Sequence, residues 1–502
     1  MEKAVMTWEM TVGLEVHTQL NTVSKLFCSC KTSFGAPPNT HTCEICQGHP
    51  GVLPKLNEAA LEKAVTAGLA LHCTVNTYSK FDRKNYFYPD LPKAYQISQY
   101  DQPICSGGYI DIGTVSDNTE CAEPAEESKE TAASVYKGNA RIRLTRIHLE
   151  EDAGKLVHSP HHAESYIDLN RAGTPLIEIV TEPDIHSPAE AVEFLQKLRA
   201  ILLYLEISDC NMEAGSFRCD ANISLRRKGS TVLGNRTEIK NMNTFKGIFN
   251  ALEYEYRRQE KILNAGNTVV TETLLFDSVT GKTQSMRGKE EAHDYRYFPE
   301  PDLPPIRLNE SYISRIGGLI PELPDNKKKR FQNDYGLSCY DSGVLISDKH
   351  LAVYFEKAAE GYPAYAKKIC NWILTEVMSV MNETKTDILH FPVKPEEIGK
   401  LMHLVESGVI SGRIAKDVFP ELCASGKSID ALLNEKKLSM ISDDELIREI
   451  LKKLLAENPA VVQKYKEGNT KTAGFFVGQV MKETGGKGNP KKINVILAEL
   501  LQ

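Results

Sequence analysis

The chain has 502 residues, 41% of them hydrophobic and 25% charged, with a formal net charge of −7. That length exceeds one ordinary core, so two to four globular domains are expected. The composition supplies no run long enough to span a bilayer, no signal- or transit-peptide pattern at MEKAVMTWEM, and no basic excess for general nucleic-acid coating, which predicts a cytoplasmic protein that binds neither membrane nor DNA.

Residues 11–20 (TVGLEVHTQL) alternate as a strand, with Val12, Leu14 and Val16 on one face and Gly13, Glu15, His17 and Gln19 on the other. Glu15 and His17 then project together, about 7 Å apart, which suits a shared ion or phosphate group as well as a plain solvated pair. Cys28-Ser-Cys30 and Cys43-Glu-Ile-Cys46 follow, separated by twelve residues of Gly/Pro/Asn-containing loop. Twelve cysteines in 502 residues are too sparse for a disulfide scaffold, so Cys28, Cys30, Cys43 and Cys46 read as a closed structural Zn²⁺ site, with four free thiols as the alternative.

Asn57 is positioned to cap a helix over 58–71 with Leu61, Val65 and Leu69 inward. Residues 80–101 (KFDRKNYFYPDLPKAYQISQYD) combine four tyrosines, two phenylalanines, three lysines and an arginine around two prolines. The prolines exclude a central strand or helix and predict an ordered loop or edge segment; interleaved cations and aromatics suit phosphate and base contact. Residues 114–138 are polar and acidic, a hairpin loop or insertion.

Residues 146–155 (RIHLEEDAGK) place Glu150, Glu151 and Asp152 at the end of a strand-like run that Gly154 breaks. Strands disfavour adjacent like charges, so this triplet points to a compensating cation, and hard oxygen ligands suit Mg²⁺. Residues 165–184 read as two strands joined at Arg171-Ala-Gly173. Ser187-Pro-Ala-Glu190 then reads as a capping box opening a helix whose Val192, Leu195, Leu198 and Leu202 face the core. Residues 216–225 (SFRCDANISL) show the cleanest alternation, with Ser216, Arg218, Asp220, Asn222 and Ser224 forming one polar face. Arg236, Glu238 and Lys240 repeat it on a following strand, and 244–264 is a long helix ending at Gly266. After the proline-rich stretch 293–305 the periods become helical: 364–382, then 395–407, then shorter helices. In the tail, residues 464–492 hold seven lysines against two glutamates, a net +5 that suits a phosphate backbone.

Together these stretches closely resemble the family of aspartyl/glutamyl-tRNA amidotransferase B subunits. The resemblance rests on GLEVH at 13–17, FDRKNYFYPDLPKAYQISQYD at 81–101, RIHLEEDAGK at 146–155 and YIDLNRAGTPLIEIVTEPD at 166–184. It continues in SFRCDANIS at 216–224, RTEIKNMN at 236–243, HDYRYFPEPDLPP at 293–305 and GFFVGQVMKETGGKGNP at 474–490. The archaeal E subunits carry a large insertion that has no room here. The resemblance implies an α+β fold: a glutamine-synthetase/guanido-kinase-like cradle with an antiparallel sheet over 1–293. A helical domain (294–406) and an all-α YqeY-like tRNA-binding tail (407–502) follow.

The implied reaction is ATP-dependent phosphorylation of the side-chain carboxylate of Glu-tRNA(Gln), Asp-tRNA(Asn) or both. Ammonia released by an amidase partner then forms the amide, and a small third protein holds the amidase to this chain in a heterotrimer. Glu15, His17, Glu150, Glu151 and Asp220 are the expected catalytic Mg²⁺ ligands, with the assignment among Glu150, Glu151 and Asp152 open. Arg218 is expected to stabilise phosphoryl charge. Lys84 and Lys93 would border the ammonia path, as a gate or as a grip on substrate. Lys482, Lys487, Lys491 and Lys492 would contact tRNA. Members of the family differ in keeping the four cysteines, so zinc would be accessory to the reaction. The competing reading, a tRNA-binding scaffold with a decayed site, is disfavoured by the presence of the carboxylates, Arg218 and the lysine loop together.

Overall fold

The computed structural model describes residues 7–113, 140–159, 164–286, 295–436, 444–466, 472–484 and 490–501, in two compact units, Met1–Pro324 and Asp325–Gln502. The acidic stretch 114–138, His293 and Lys487 lie outside the described residues, as does the side chain of Lys491.

The first unit is mixed α/β, built on a ten-stranded sheet. Its centre is four strands: β1 (Trp8–Gln19), β2 (Ala140–Glu151), β3 (Pro175–Thr181) and β4 (Phe217–Arg227), flanked by β5 (Thr237–Lys240). They run in the order β5-β4-β1-β3-β2, every neighbour antiparallel. One pair departs from the expected antiparallel pattern: β5 runs parallel to the strand Thr273–Asp277. The two are joined through a twenty-residue helix, the kind of crossover a parallel pair requires.

Alternation decides the two faces. Val12, Leu14, Val16, Ala221, Ile223, Ile177 and Ile179 are fully buried beneath the helices Pro188–Tyr204 and Phe245–Asn264. The helix starts follow the sequence: the side chains of Asn57, Ser187 and Thr244 accept from the N–H of Ala59, Glu190 and Gly247. The predicted capping box at Ser187 differs in one bond. Glu190 accepts from His186 N–H at 2.7 Å, one residue before the cap. The inward stripe of that helix is Ala191, Phe194, Leu195, Leu198 and Leu202, with Val192 only half-buried.

The segment 80–101 is not only loop and edge as its prolines suggest, because Asp82–Asn85 is the middle strand of a small sheet and the prolines stay in the turn. Asp82–Asn85 and Tyr95–Ser98 pair with each other, and Phe298–Pro299 adds a third strand, making a small sheet of its own with Pro89 and Pro92 in the connecting turn. The two strands predicted within 165–184 do not pair together. Ser165–Asp168 pairs with Lys155–His158, while β3 enters the large sheet.

Among its described residues the second unit holds only helices. One buried cluster runs from Phe331 to Leu433 and another from Ile447 to Leu501. Residues 366–384 form a continuous helix in which Ile373–Val377 makes a wider turn just after Trp372. No helix among the described residues is long and apolar enough to cross a membrane.

Candidate active site and cysteine centre

Cross-strand register assembles the polar face. Arg218 stands opposite His17, His17 opposite Glu178, and Glu178 opposite His148, a four-residue row across β4, β1, β3 and β2. His17 Nε2 lies 3.2 Å from Glu178 and 3.8 Å from Glu150, and His148 Nε2 lies 3.3 Å and 3.6 Å from the same two carboxylates. Ser98 Oγ donates to Glu150 at 3.0 Å. One ligand atom each from His17, Glu150 and Glu178 falls within 4.8 Å of the others, close enough to share an ion.

The electrostatics follow from burial. Desolvation opposes charge on His148, but Glu178 and Glu150 outweigh it and raise its pKa to about 9. His17 is raised for the same reason, chiefly through its bond to Glu178. Burial works against ionised Glu178 and Glu150, yet the imidazoles and, for Glu150, the Lys84 ammonium hold both below the usual range. Lys84 is raised in turn: Glu150 and Glu178 overcome its desolvation. Its Nζ sits 5.0 Å over the Tyr295 ring, and Tyr100 stacks on Tyr297 at 4.2 Å, so an aromatic cover borders the carboxylates.

The other expected ligands divide. Glu15 accepts from Asn222 at 3.0 Å, and burial, then Glu178 and Glu238, push its pKa up. Asp220 is 2.6 Å from Lys240, which also reaches Glu238 at 2.7 Å. These form a neighbouring cluster one residue pair along from His17. Glu151 faces the opposite way, because successive strand residues alternate. It pairs with Lys93 and accepts from Ile97 N–H at 2.9 Å. Asp152 binds Arg218 Nη2 at 2.9 Å and Gln19 Nε2 at 2.7 Å. The triplet therefore splits three ways.

Sequence reasoning overlooked Glu178 and His148. A two-residue period pairs His148 with Glu150, and Glu178 is the one charge inside the apolar strand PLIEIVT. Both signals were readable; the register that joins them was not.

The four cysteines converge as predicted, with ligand atoms mutually within 4.8 Å. Tetrahedral Zn–S bonds of about 2.3 Å place sulfurs about 3.8 Å apart, and Cys43 and Cys46 stand at 4.0 Å. The donor set fits a closed thiolate site. Bonding from Cys28 leads the factors that lower the Cys46 thiol to about 4; Cys30 is raised to about 11, first by burial. Gly48, left-handed at φ 72° after the short helix Glu44–Gln47, lets Lys93 pack on the loop, since a Cβ there would lie 2.3 Å from the lysine stem. Between them Lys25, Cys46, Lys93 and Glu151 help line a cavity of about 30 Å³.

Comparison with known proteins matches these positions to one family. The GatB/GatE catalytic domain matches residues 10–314 and the GatB domain residues 353–501. The chain belongs to the GatB family. A family member from Persephonella marina, the B subunit of an aspartyl/glutamyl-tRNA(Asn/Gln) amidotransferase, is 52% identical over 99% of this chain and 100% of its own. Relatives of the same description from Thermoanaerobacter pseudethanolicus and Thermodesulfovibrio yellowstonii are 50% and 49% identical, each over 99% of this chain and all of theirs. The sheet face and the cysteine loop both lie inside the GatB/GatE catalytic match.

Proposed function

We propose that this chain is the carboxylate-activating subunit of a glutamine-dependent tRNA amidotransferase, a carbon–nitrogen ligase. ATP phosphorylates the side-chain carboxylate of Glu on tRNA(Gln) or Asp on tRNA(Asn), and ammonia then displaces phosphate to leave the amide. A carboxylate resists ammonia because hydroxide leaves poorly, and phosphate leaves well. The observation that carries this reading is the convergence of His17, Glu150 and Glu178 beneath Lys84, beside Arg218.

Phosphoryl transfer asks mainly for positioning and charge neutralisation. His17, Glu150 and Glu178 would hold Mg²⁺, which neutralises phosphate charge when bound; Glu15 and Asp220 border that set. Arg218 binds Asp152 through one nitrogen while its buried Nε has no partner, a donor that an anionic oxygen satisfies. Lys93 and Glu151 line a cavity with room for one or two molecules the size of water or ammonia, which supports an ammonia path on that side. The thiolate quartet suits zinc, with no open position for chemistry.

In the same reading residues 1–293, most of the first unit, are a glutamine-synthetase/guanido-kinase-type cradle, followed by a helical domain to 406 and a tRNA-binding tail. Lys482 is exposed there, and Lys492 half-buried, on the helices Ala473–Glu483 and Pro490–Leu501. The partners are an amidase and a small third protein that joins the two.

The test is transamidation of Glu-tRNA(Gln) and Asp-tRNA(Asn) by the co-purified complex. ATP- and glutamine-dependent amide formation supports the reading. A chain that purifies without an amidase and hydrolyses no ATP with tRNA supports the scaffold reading instead.

A further inference from the structure

Lys25 is one of the largest fully buried side chains of the protein. Its ammonium donates to Cys46 Sγ at 3.5 Å and to the Leu169 carbonyl at 3.3 Å. Among the described residues, no carboxylate stands within ion-pairing distance of it. Burying an ammonium costs several kcal/mol unless a nearby anion offsets it. A carbonyl supplies no such anion, and the Cys46 sulfur supplies one only as a thiolate, the form in which it binds a metal. Four thiolates around a divalent cation carry a net charge of −2, and they would sit where this ammonium points.

We propose that Lys25 is the counter-ion and N–H···S donor of a divalent-metal centre formed by Cys28, Cys30, Cys43 and Cys46, and that it strengthens the hold of that centre on its metal. The inference rests on the zinc reading above and adds a residue to it. The backbone keeps Lys25 aimed: its N–H donates to the Cys30 carbonyl at 2.9 Å, and Asn57 Nδ2 donates to its carbonyl at 3.2 Å. Gly173, at φ 82°, packs beside both residues: a Cβ there would lie in ordinary van der Waals contact, 3.4 Å from Lys25 Cδ and 3.5 Å from Cys46 Cβ. Lys25 acts through the sulfurs and not on substrate, so it is a positioning residue.

The experiment uses the full chain and Lys25→Met, which keeps the unbranched stem and removes the charge. Zinc content is measured after purification, and affinity by chelator competition, with Co²⁺ as a spectroscopic probe of thiolate bonding. Loss of an outer partner of a metal ligand weakens metal binding about 10- to 100-fold; a loss of that size is the expected result. Wild-type chain with one zinc and a Lys25→Met chain of equal affinity overturns the role of Lys25 alone. Wild-type chain that takes up neither Zn²⁺ nor Co²⁺ overturns the zinc reading and this inference with it. Should Lys25→Met not fold, reductive methylation of the wild-type chain decides. Lys25 is expected to be protected with zinc bound and modified as the metal is stripped, and protection that does not change on stripping overturns the proposal.

Discussion

Glu150 and Glu151 are neighbours in the chain and almost equally buried, at 2% and 3% exposure, yet they belong to different chemistries. Glu150 shares two imidazoles with Glu178 and faces Lys84. Glu151 has one lysine and one backbone amide, beside the cysteine loop. The pleat alone separates them. A buried carboxylate with a single matched cation is a joint, whereas two carboxylates crowded with two imidazoles form a set that a divalent cation can reorganise.

Lys93→Met tests the joint. It leaves Glu151 buried without its cation, and breaking a buried pair costs about 3–5 kcal/mol. The melting temperature should fall sharply, and adding Glu151→Gln should recover most of the loss. A Lys93→Met chain as stable as the parent would erase the contrast between the two sides. Glu150→Gln should do the reverse: little change in melting, with amide formation down about 10²- to 10³-fold, the scale set by losing one group placed against reaction charge. Arg218→Ala removes a charge-assisted hydrogen bond of about 1.5–3 kcal/mol, so ATP turnover with tRNA should drop about 10- to 100-fold. Near-normal turnover would remove Arg218 from phosphoryl binding.

The smallest effect is a pH dependence, read in chelator so that the histidines carry the positive charge. The folded pKa of His148 is raised from 6.5 to about 9. Its contribution is complete below about 6.5 and fades as pH climbs through about 9. Thermal stability should therefore fall across that window, and His148→Gln should flatten the slope.

Much of this was legible beforehand. The faces of β1 and β4, the caps at Asn57 and Ser187, and the cysteine quartet follow from rules that act within a few residues. What escaped was everything fixed by register. His17 meets Glu178 because β1 lies between β3 and β4, and no local pattern states that. Alternation could have separated Glu150 from Glu151, but their adjacency in sequence made them look like one ligand pair. Lys25 gave no signal at all, because its meaning depends on sulfurs brought in by a loop.

The acidic end of β2 is held differently on its two edges. Toward β3 it is tied by ladder bonds as far as Glu151 opposite Pro175. Toward the small aromatic sheet, side chains do the tying: Gln99 accepts from Leu149 N–H, Ser98 donates to Glu150, and Gln96 donates to the Glu151 carbonyl. With the Ile97 N–H bond to Glu151 and the Lys93–Glu151 pair, that edge carries five ties, of which the buried ion pair is the strongest. Each of the five has a side chain at one end or both, so that edge can come free by rotamer changes, with the Lys93–Glu151 pair as the main resistance, while the β2 backbone stays on an intact ladder. In hydrogen-exchange terms the β2 amides are expected to exchange more slowly than those of 95–98, so an aminoacyl end could be admitted without loosening the ladder beneath it.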